Sequence, residues 1–257
     1  MSDYLLPQAE APEFERSRLE LLEARHDPVT IAQLDAIGVG EGWRCLDVGA
    51  GGGSVARILA ERVGSSGSVL AIDLDTSLLE EQADERIEVR RVDLMSDPLP
   101  AAAFDLIHAR NLLMHLPSRV PALQRLIDSV RPGGWVVASD PDFTVVALSP
   151  ASPVWERTWS AFLDATIAGG WDPRYGSRLA GDFRAAGLVD VHAQLDTRSG
   201  PGGTSPLLAM TVERMRGRMV ALGAAGDEID EALRLFADPA CTITEPMVCA
   251  VRGRRPA

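Results

Sequence analysis

The sequence predicts an α/β fold in which helices wind both faces of a mostly parallel sheet. Three observations predict it. Short apolar runs recur between residues 43 and 140, helical segments separate them, and the first run leads straight into a glycine-rich turn. Strands spaced by helices of this length pair in parallel through right-handed crossovers, because antiparallel neighbours need only a tight turn.

The first thirty residues read as one amphipathic helix, with Phe14, Leu19, Leu21 and Leu22 on a shared apolar stripe. Asp27-Pro28-Val29-Thr30 then predicts a restart, Asp as cap and Pro in a first turn. Ile31, Leu34 and Ile37 keep helical spacing until Gly38 and Gly40 stop it. Apolar runs at 44–48 and 68–72, the second ending in Asp73, make two strands around a helix at 55–63, which Gly64 and Gly67 end. Residues 87–92 alternate as a third strand, and 104–109 form a fourth. A helix at 121–130, the turn Arg131-Pro132-Gly133-Gly134 and a fifth strand at 135–139 complete the alternation.

Beyond Asp140 the rhythm changes. Trp155, Trp159 and Phe162 recur at i, i+4 and i+7 in an aromatic-rich segment from 141 to 180, which predicts an aromatic-faced helix. A helix at 179–186, a strand at 189–195 and the loop Ser199-Gly200-Pro201-Gly202-Gly203 follow. A long helix carrying Met210, Met215 and Met219 precedes a last strand at 241–251, where Pro246 requires a bulge or an edge.

Composition narrows the function classes. The chain has 257 residues, 46% of them hydrophobic, enough for one sizeable core. No uninterrupted apolar stretch reaches the roughly eighteen residues of a membrane span. The N-terminus starts acidic and lacks the pattern of a secretion signal. Cys45, Cys241 and Cys249 form no CxxC pair, so neither a disulfide framework nor a metal site is expected, and a reducing cytoplasm fits best. A formal charge of −12, from 25 basic and 37 acidic residues, repels phosphate backbones, so no nucleic acid partner is expected.

The segment 45–59, CLDVGAGGGSVARIL, carries the chemistry. A buried strand delivers Asp47 to its C-terminal end, and Gly49, Gly51 and Gly53 turn the chain sharply into a helix whose free N–H groups face polar ligand atoms. Asp47 suits a ligand that carries an ammonium group. The same turn satisfies a dinucleotide fingerprint, Gly51-x-Gly53-x-x-Ala56, with Asp73 about twenty residues on where a ribose-binding acid belongs. A nicotinamide-dependent oxidoreductase therefore stays open at this point. Asp93, in Val92-Asp93-Leu94, puts another acid on the same rim, able to accept from an exocyclic adenine amine; the lesser alternative is that Asp73 or Asp93 merely caps a following turn.

Taken together, LDVGAGGG, AIDLD, VDL and RPGGWVV resemble, in order and spacing over residues 27–140, the glycine, ribose, adenine and post-helix motifs of the class I S-adenosylmethionine-dependent methyltransferases. FDLIHARNLLMHLP is similar to small-molecule methyltransferases of actinobacterial secondary metabolism and to the quinone-methylating group. The resemblance implies a Rossmann-like, doubly wound, seven-stranded sheet whose last strand is antiparallel, with an N-terminal helical lid and a helical cap insertion. The implied organisation is a lid over 1–30, a cofactor-binding core over 31–140, pocket helices and strand six over 141–240, and the final strand over 241–257. The implied cofactor is S-adenosylmethionine, with S-adenosylhomocysteine as product. Gly49, Ala50 and Gly51 would hold the methionine part, with Asp47 near its amino group. Asp73 would take the ribose hydroxyls, Leu74 would pack on adenine, and Asp93 with Leu94 would read the adenine edge. The backbone of Ala109 and Arg110 would touch the methionine moiety. A cofactor-binding protein that transfers no methyl group is a further reading of the same motifs.

On the acceptor side, ligands of open α/β sheets lie beyond the carboxyl ends of the strands. Arg110, Asn111, His115, Asp140 and Asp142 follow strands four and five there. His115 and Asp140 are the candidate catalytic residues, His115 as a base for a phenol or enol and Asp140 to orient a hydroxyl or amine. His108, inside strand four, reads as structural. The aromatic segment and the Met-bearing helix are expected to wall an apolar pocket, with Tyr4 and Phe14 closing over it. The expected partner is a small-molecule acceptor, with a homodimer left open.

Overall fold

Neighbouring residues of each central strand enter opposite cores. In the computed structural model, which describes residues 12–80 and 84–257, Cys45, Val69, Ala71, Leu106 and Val137 pack into one core, and Leu46, Leu70, Ile72, Ile107 and Val136 into the other. Because both faces are covered, these strands read as continuous apolar runs rather than alternating ones. Strands β1 (Arg44–Val48), β2 (Ser68–Asp73), β3 (Ile87–Arg91), β4 (Phe104–Arg110) and β5 (Val130–Asp142) pair in parallel. Late in the chain come β7 (Val189–Asp196) and β10 (Met247–Arg254), and β10 inserts antiparallel between β5 and β7. The seven-stranded order is β3-β2-β1-β4-β5-β10-β7. The winding direction reverses between β1 and β4, which opens a crevice beyond their carboxyl ends.

Helix α1 (Pro12–Ile37) runs unbroken through Pro28, where a restart was expected. An interior proline removes one helical hydrogen bond, and tertiary contacts on both sides of it outweigh that loss. Arg25 donates to Asp196 Oδ1 at 2.5 Å and to Glu245 Oε2 at 3.0 Å, while Val29 and Leu34 are buried beyond the proline. The expected apolar stripe is only partly buried. The buried face of α1 also includes Glu15, Arg25, His26, Thr30 and Gln33. Tyr4 lies outside the described residues.

Helix α2 (Ser54–Val63) covers one face of the sheet; α3 (Arg119–Ser129) and α5 (Tyr175–Ala185) cover the other. β5 begins five residues earlier than the predicted strand and absorbs Arg131-Pro132-Gly133-Gly134, with Gly133 at φ 77° and a register shift opposite Phe104 and Leu106. A cap of α4 (Pro153–Ala168), α6 (Pro206–Ala221) and α7 (Gly226–Ala237) stands beyond the strand ends. With it goes a three-stranded antiparallel sheet of β6 (Ala147–Ser149), β9 (Thr242–Thr244) and β8 (Ser199–Pro201). The predicted last strand is therefore two strands in two sheets, divided at Glu245 and Pro246. Helix α7 went unread in the sequence, although Ile229, Ala232 and Phe236 recur at helical spacing and all are buried.

Trp155, Trp159 and Phe162 do lie on one helix face, but they build the core of the cap rather than a pocket wall. Trp155 stacks on Trp159 at 5.2 Å, Trp159 on Phe162 at 4.7 Å, and Phe236 meets Trp155 edge-on at 4.9 Å. Phe162 is fully buried. Phe162→Ala is expected to cost about 3–5 kcal/mol in denaturant unfolding; a loss below about 1 kcal/mol would contradict a shared aromatic core.

Candidate active site

The turn after β1 sets the geometry. Gly49 and Gly51 hold φ of 70° and 55°, a region that disfavours side chains. A Cβ on Gly49 would also stand 3.2 Å from Leu112. The Gly51 amide donates to Asp73 Oδ2 at 2.9 Å, which ties the turn to the tip of β2, and Asp73 Oδ1 accepts from Asp75 at 3.2 Å. Burial raises the Asp73 pKa, against the pull of those amides. Asp93 Oδ1 accepts from the Met95 amide at 2.8 Å, so this acid does cap a turn while also facing the crevice.

The crevice is a cavity of about 220 Å³ lined by Asp47, Gly49, Ala50, Gly51, Asp73, Leu74, Asp93, Leu94, Arg110 and His115, all predicted site residues. Ala109 is absent from the lining; strand alternation turns it into the core, 1% exposed, between His108 and Arg110, which do line the cavity. Arg110 proves to be an anchor. It donates to Asp27 Oδ1 at 2.6 Å and to Ser54 Oγ at 2.9 Å, and Ser54 Oγ reaches the same Asp27 oxygen at 3.0 Å. This triangle fastens α1 to the first residue of α2, so that Leu19 and Leu22 roof the cavity.

Asp47 and His108 sit side by side on β1 and β4. Asp47 Oδ1 lies 2.8 Å from His108 Nδ1, and both residues line the cavity. The other polar atom of each, Asp47 Oδ2 and His108 Nε2, is buried without a hydrogen-bond partner among the described residues.

A second cavity, of about 260 Å³, shares Arg18, Leu22, Asn111, His115, Trp171 and Thr211 with the first. Its own walls are largely apolar, including Leu21, Met114, Phe143, Leu207, Leu208 and Val248. Phe143 and Trp171 are the parts of the aromatic segment that reach it. His115 meets the Trp171 ring edge-on at 4.1 Å. Burial lowers the His115 pKa to about 3, helped by the charges of Arg18, Arg214 and Arg119. Asp140 lines neither cavity. It is 1% exposed beneath the turn that carries His115 and accepts from the Met114 amide at 3.3 Å, and burial pushes its pKa up to about 8. It supports His115 rather than facing an acceptor. Asp142 likewise turns away, capping Thr144 and accepting from Ser177.

Sequence reasoning missed the clamp between α1 and α6. Glu15 pairs with Arg18 at 2.6 Å and with Arg214, all three lining the first cavity. Burial alone would raise the Glu15 pKa, but the two guanidiniums overcome it and hold it at about 2. Glu15 and Arg214 lie 199 residues apart, so no local pattern signals the pair.

Residues 46–138 match the family model described as a methyltransferase domain. The chain is 32% identical over 221 residues to the methyltransferase str2 of Strobilurus tenacellus, covering 84% of this chain and 79% of that one. It is 36% identical over 109 residues to the aklanonic acid methyltransferase DauC of Streptomyces sp. strain C5, covering 40% and 50%. Among solved structures it resembles the phospholethanolamine N-methyltransferase 2 of Haemonchus contortus in complex with phosphomonomethylethanolamine and S-adenosylhomocysteine. That likeness has a TM-score of 0.63 at 16% identity and covers 99% of this chain and 60% of the other.

Asp73→Ala is expected to weaken binding of S-adenosylhomocysteine by about 1–3 kcal/mol in calorimetry; an unchanged affinity would remove Asp73 from the site. The Glu15 clamp has a defined pH window. Because the folded pKa, about 2, lies below the ordinary 4.5, its stabilisation is complete above about 4.5 and drains away as pH falls toward 2. Glu15→Gln at neutral pH should reproduce that loss as faster hydrogen exchange in α1 and α6, and identical exchange in the two proteins would contradict the clamp.

Proposed function

The chain belongs to the class I S-adenosylmethionine-dependent methyltransferases, and from that premise we propose that it methylates a small, largely apolar acceptor held in the second cavity. The single observation that carries the proposal is the shared wall. Arg18, Asn111, His115, Trp171 and Thr211 line both cavities, so a ligand in each would meet there.

The first cavity fits the adenosyl cofactor. Asp47 Oδ2 is a buried carboxylate oxygen without a hydrogen-bond partner among the described residues, a position that a ligand ammonium would neutralise. In this reading Gly49, Ala50 and Gly51 hold the amino-acid tail, Asp73 the ribose, and Leu74, Asp93 and Leu94 the adenine. Arg110 and Asp27 keep α1 closed over it. When bound, the cofactor supplies a methyl group already activated on a sulfonium, so the protein's task is to align the acceptor atom about 3 Å from that carbon.

Magnitude decides the role of His115. A group whose pKa is held near 3 stays neutral across physiological pH and is a feeble base toward a phenol. It serves better as a hydrogen-bond acceptor that orients a hydroxyl. The positive charges beside it favour the ionised acceptor, its proton lost to solvent before transfer, because Arg18 and Arg214 share the single carboxylate of Glu15. At its polar side the second cavity is balanced. Arg25 and Arg198 face the two carboxylates of Asp196 and Glu245, Arg25 pairing with both and Arg198 with Asp196, and Ser205 donates to Glu245 at 2.8 Å. An uncharged hydroxyl or carbonyl group suits that end better than a carboxylate or an amine. The proposal is therefore methylation at a phenolic or enolic oxygen, or at the carbon conjugated with it, in secondary metabolism. The free, buried Cys45, Cys241 and Cys249 support a reducing cytoplasm as the setting.

The test is product detection. With labelled S-adenosylmethionine, a panel of fused-ring phenols and 1,3-diketones should yield methylated product, and His115→Ala should lower kcat/KM by about ten- to hundred-fold, a larger loss than its effect on affinity for S-adenosylhomocysteine, whose cavity it also lines. The rate–pH profile should show no limb from His115 between pH 5 and 8. A limb there that vanishes in His115→Gln would contradict the orienting role, and methylation confined to charged acceptors would contradict the acceptor class.

A further inference from the structure

Among the described residues that line both cavities, Arg18 alone carries a permanent charge; Leu22, Asn111, His115, Trp171 and Thr211 complete that shared wall. Arg18 pairs side-on with Glu15, Nε donating to Oε2 at 3.0 Å and Nη2 to Oε1 at 2.6 Å. A guanidinium is a rigid fork of five N–H groups, so this pairing leaves the Nη1 edge unspent. Glu15 lines the first cavity and not the second, whereas the Arg18 side chain, 15% exposed, continues into both. Its charge is also felt across the junction. After burial, Arg18 is the strongest cause that lowers the His115 pKa, ahead of Arg214 and Arg119. Guanidinium and imidazole therefore flank one space.

The cluster is not neutral. Arg18 and Arg214 share one carboxylate, which they hold ionised, and that leaves one positive charge in excess. An oxygen within hydrogen-bond reach of such a charge favours its ionised form. We propose that Arg18 is an acceptor-binding catalytic residue, whose unspent N–H groups donate to the oxygen to be methylated and hold it as the oxyanion. The inference rests on the small-molecule reading of the second cavity and adds what a neutral His115 does not supply, a means of making that oxygen nucleophilic. The acceptor's O–H bond breaks, the proton passes to solvent, and the electron pair stays on oxygen against the guanidinium. No protein base is consumed.

The test titrates a bound acceptor. A naphthol reports its own ionisation, because the naphtholate absorbs at longer wavelength. With S-adenosylhomocysteine as the companion ligand no sulfonium charge contributes, and a naphthol bound to the unaltered protein should ionise at least about one pH unit below the free compound. Arg18→Met leaves Glu15 paired with Arg214, which removes the excess charge without orphaning the carboxylate. In that variant the difference should shrink by more than half, and the acid limb of kcat should move up in pH by the same amount. The other groups around the junction are Glu15 on α1, Arg214 on α6, His115 after β4, Arg119 on α3 and Asp140 beneath them. Both proteins contain all five, so the difference isolates Arg18. Equal ionisation of the bound naphthol in the two proteins overturns the assignment, as does a variant that loses rate with an unmoved limb. Should Arg18→Met fail to fold, the unaltered protein decides alone, and ionisation at or above the pH of the free compound overturns the role. An unaltered protein that neither binds nor methylates any phenol or naphthol removes the acceptor reading itself, and the inference with it; methylation with an unshifted ionisation removes the Arg18 role only.

Discussion

A carboxylate buried at the tip of β1 with one oxygen committed is the constraint around which the site is arranged. Taking a charge out of water is costly unless partners compensate for it, and Asp47 meets that cost only partly, through His108. The turn that follows must be glycine-rich because it passes close to Leu112 with positive φ. Its Gly49 and Ala50 amides donate to the Ile72 carbonyl at 2.8 and 3.1 Å, and Asp73 locks the turn to the neighbouring strand tip through Gly51. Acid, turn and second acid form one unit, held by short-range contacts across adjacent strands.

What converts that open crevice into an enclosed one is a set of ion pairs between distant segments. The Arg110–Asp27–Ser54 triangle sets the middle of α1 over the glycine turn. Glu15 joins the start of α1 to α6, and Arg25 joins α1 to β7 and to the segment before β10 through Asp196 and Glu245. Exposed ion pairs contribute little, but the Glu15 and Arg25 side chains are 8% and 9% exposed, so losing a partner would leave a charge in a poorly solvated place. The same enclosure strengthens polar interactions within the cavities, which is where methyl transfer benefits from excluded water.

Legibility in the sequence followed the range of the interactions. The strand–helix alternation, the glycine turn and the acids Asp47, Asp73 and Asp93 were readable because each depends on residues within a short stretch. Pro28 misled, since local chemistry predicts a break while Arg25 and Asp27 are bound far along the chain. The aromatic spacing of α4 identified a helix face without saying that α7 would cover it. Asp140 looked like an acceptor ligand from its place after strand five; in space the turn carrying His115 folds over it. His108 reads as structural from its place inside strand four, but its partner, Asp47, is 61 residues away and carries no local signal. Pairings across strands become visible only once the register is known.

The central claim is that two contiguous cavities divide the labour, one gripping the adenosyl group and the other admitting the acceptor. A crystal structure of the protein grown with S-adenosylhomocysteine tests it most directly. The account predicts the nucleoside between Asp73 and Asp93, its amino group against Asp47, and the space between His115 and Phe143 still open. Density for the nucleoside in that second space, or none in the first at saturating ligand, would contradict it.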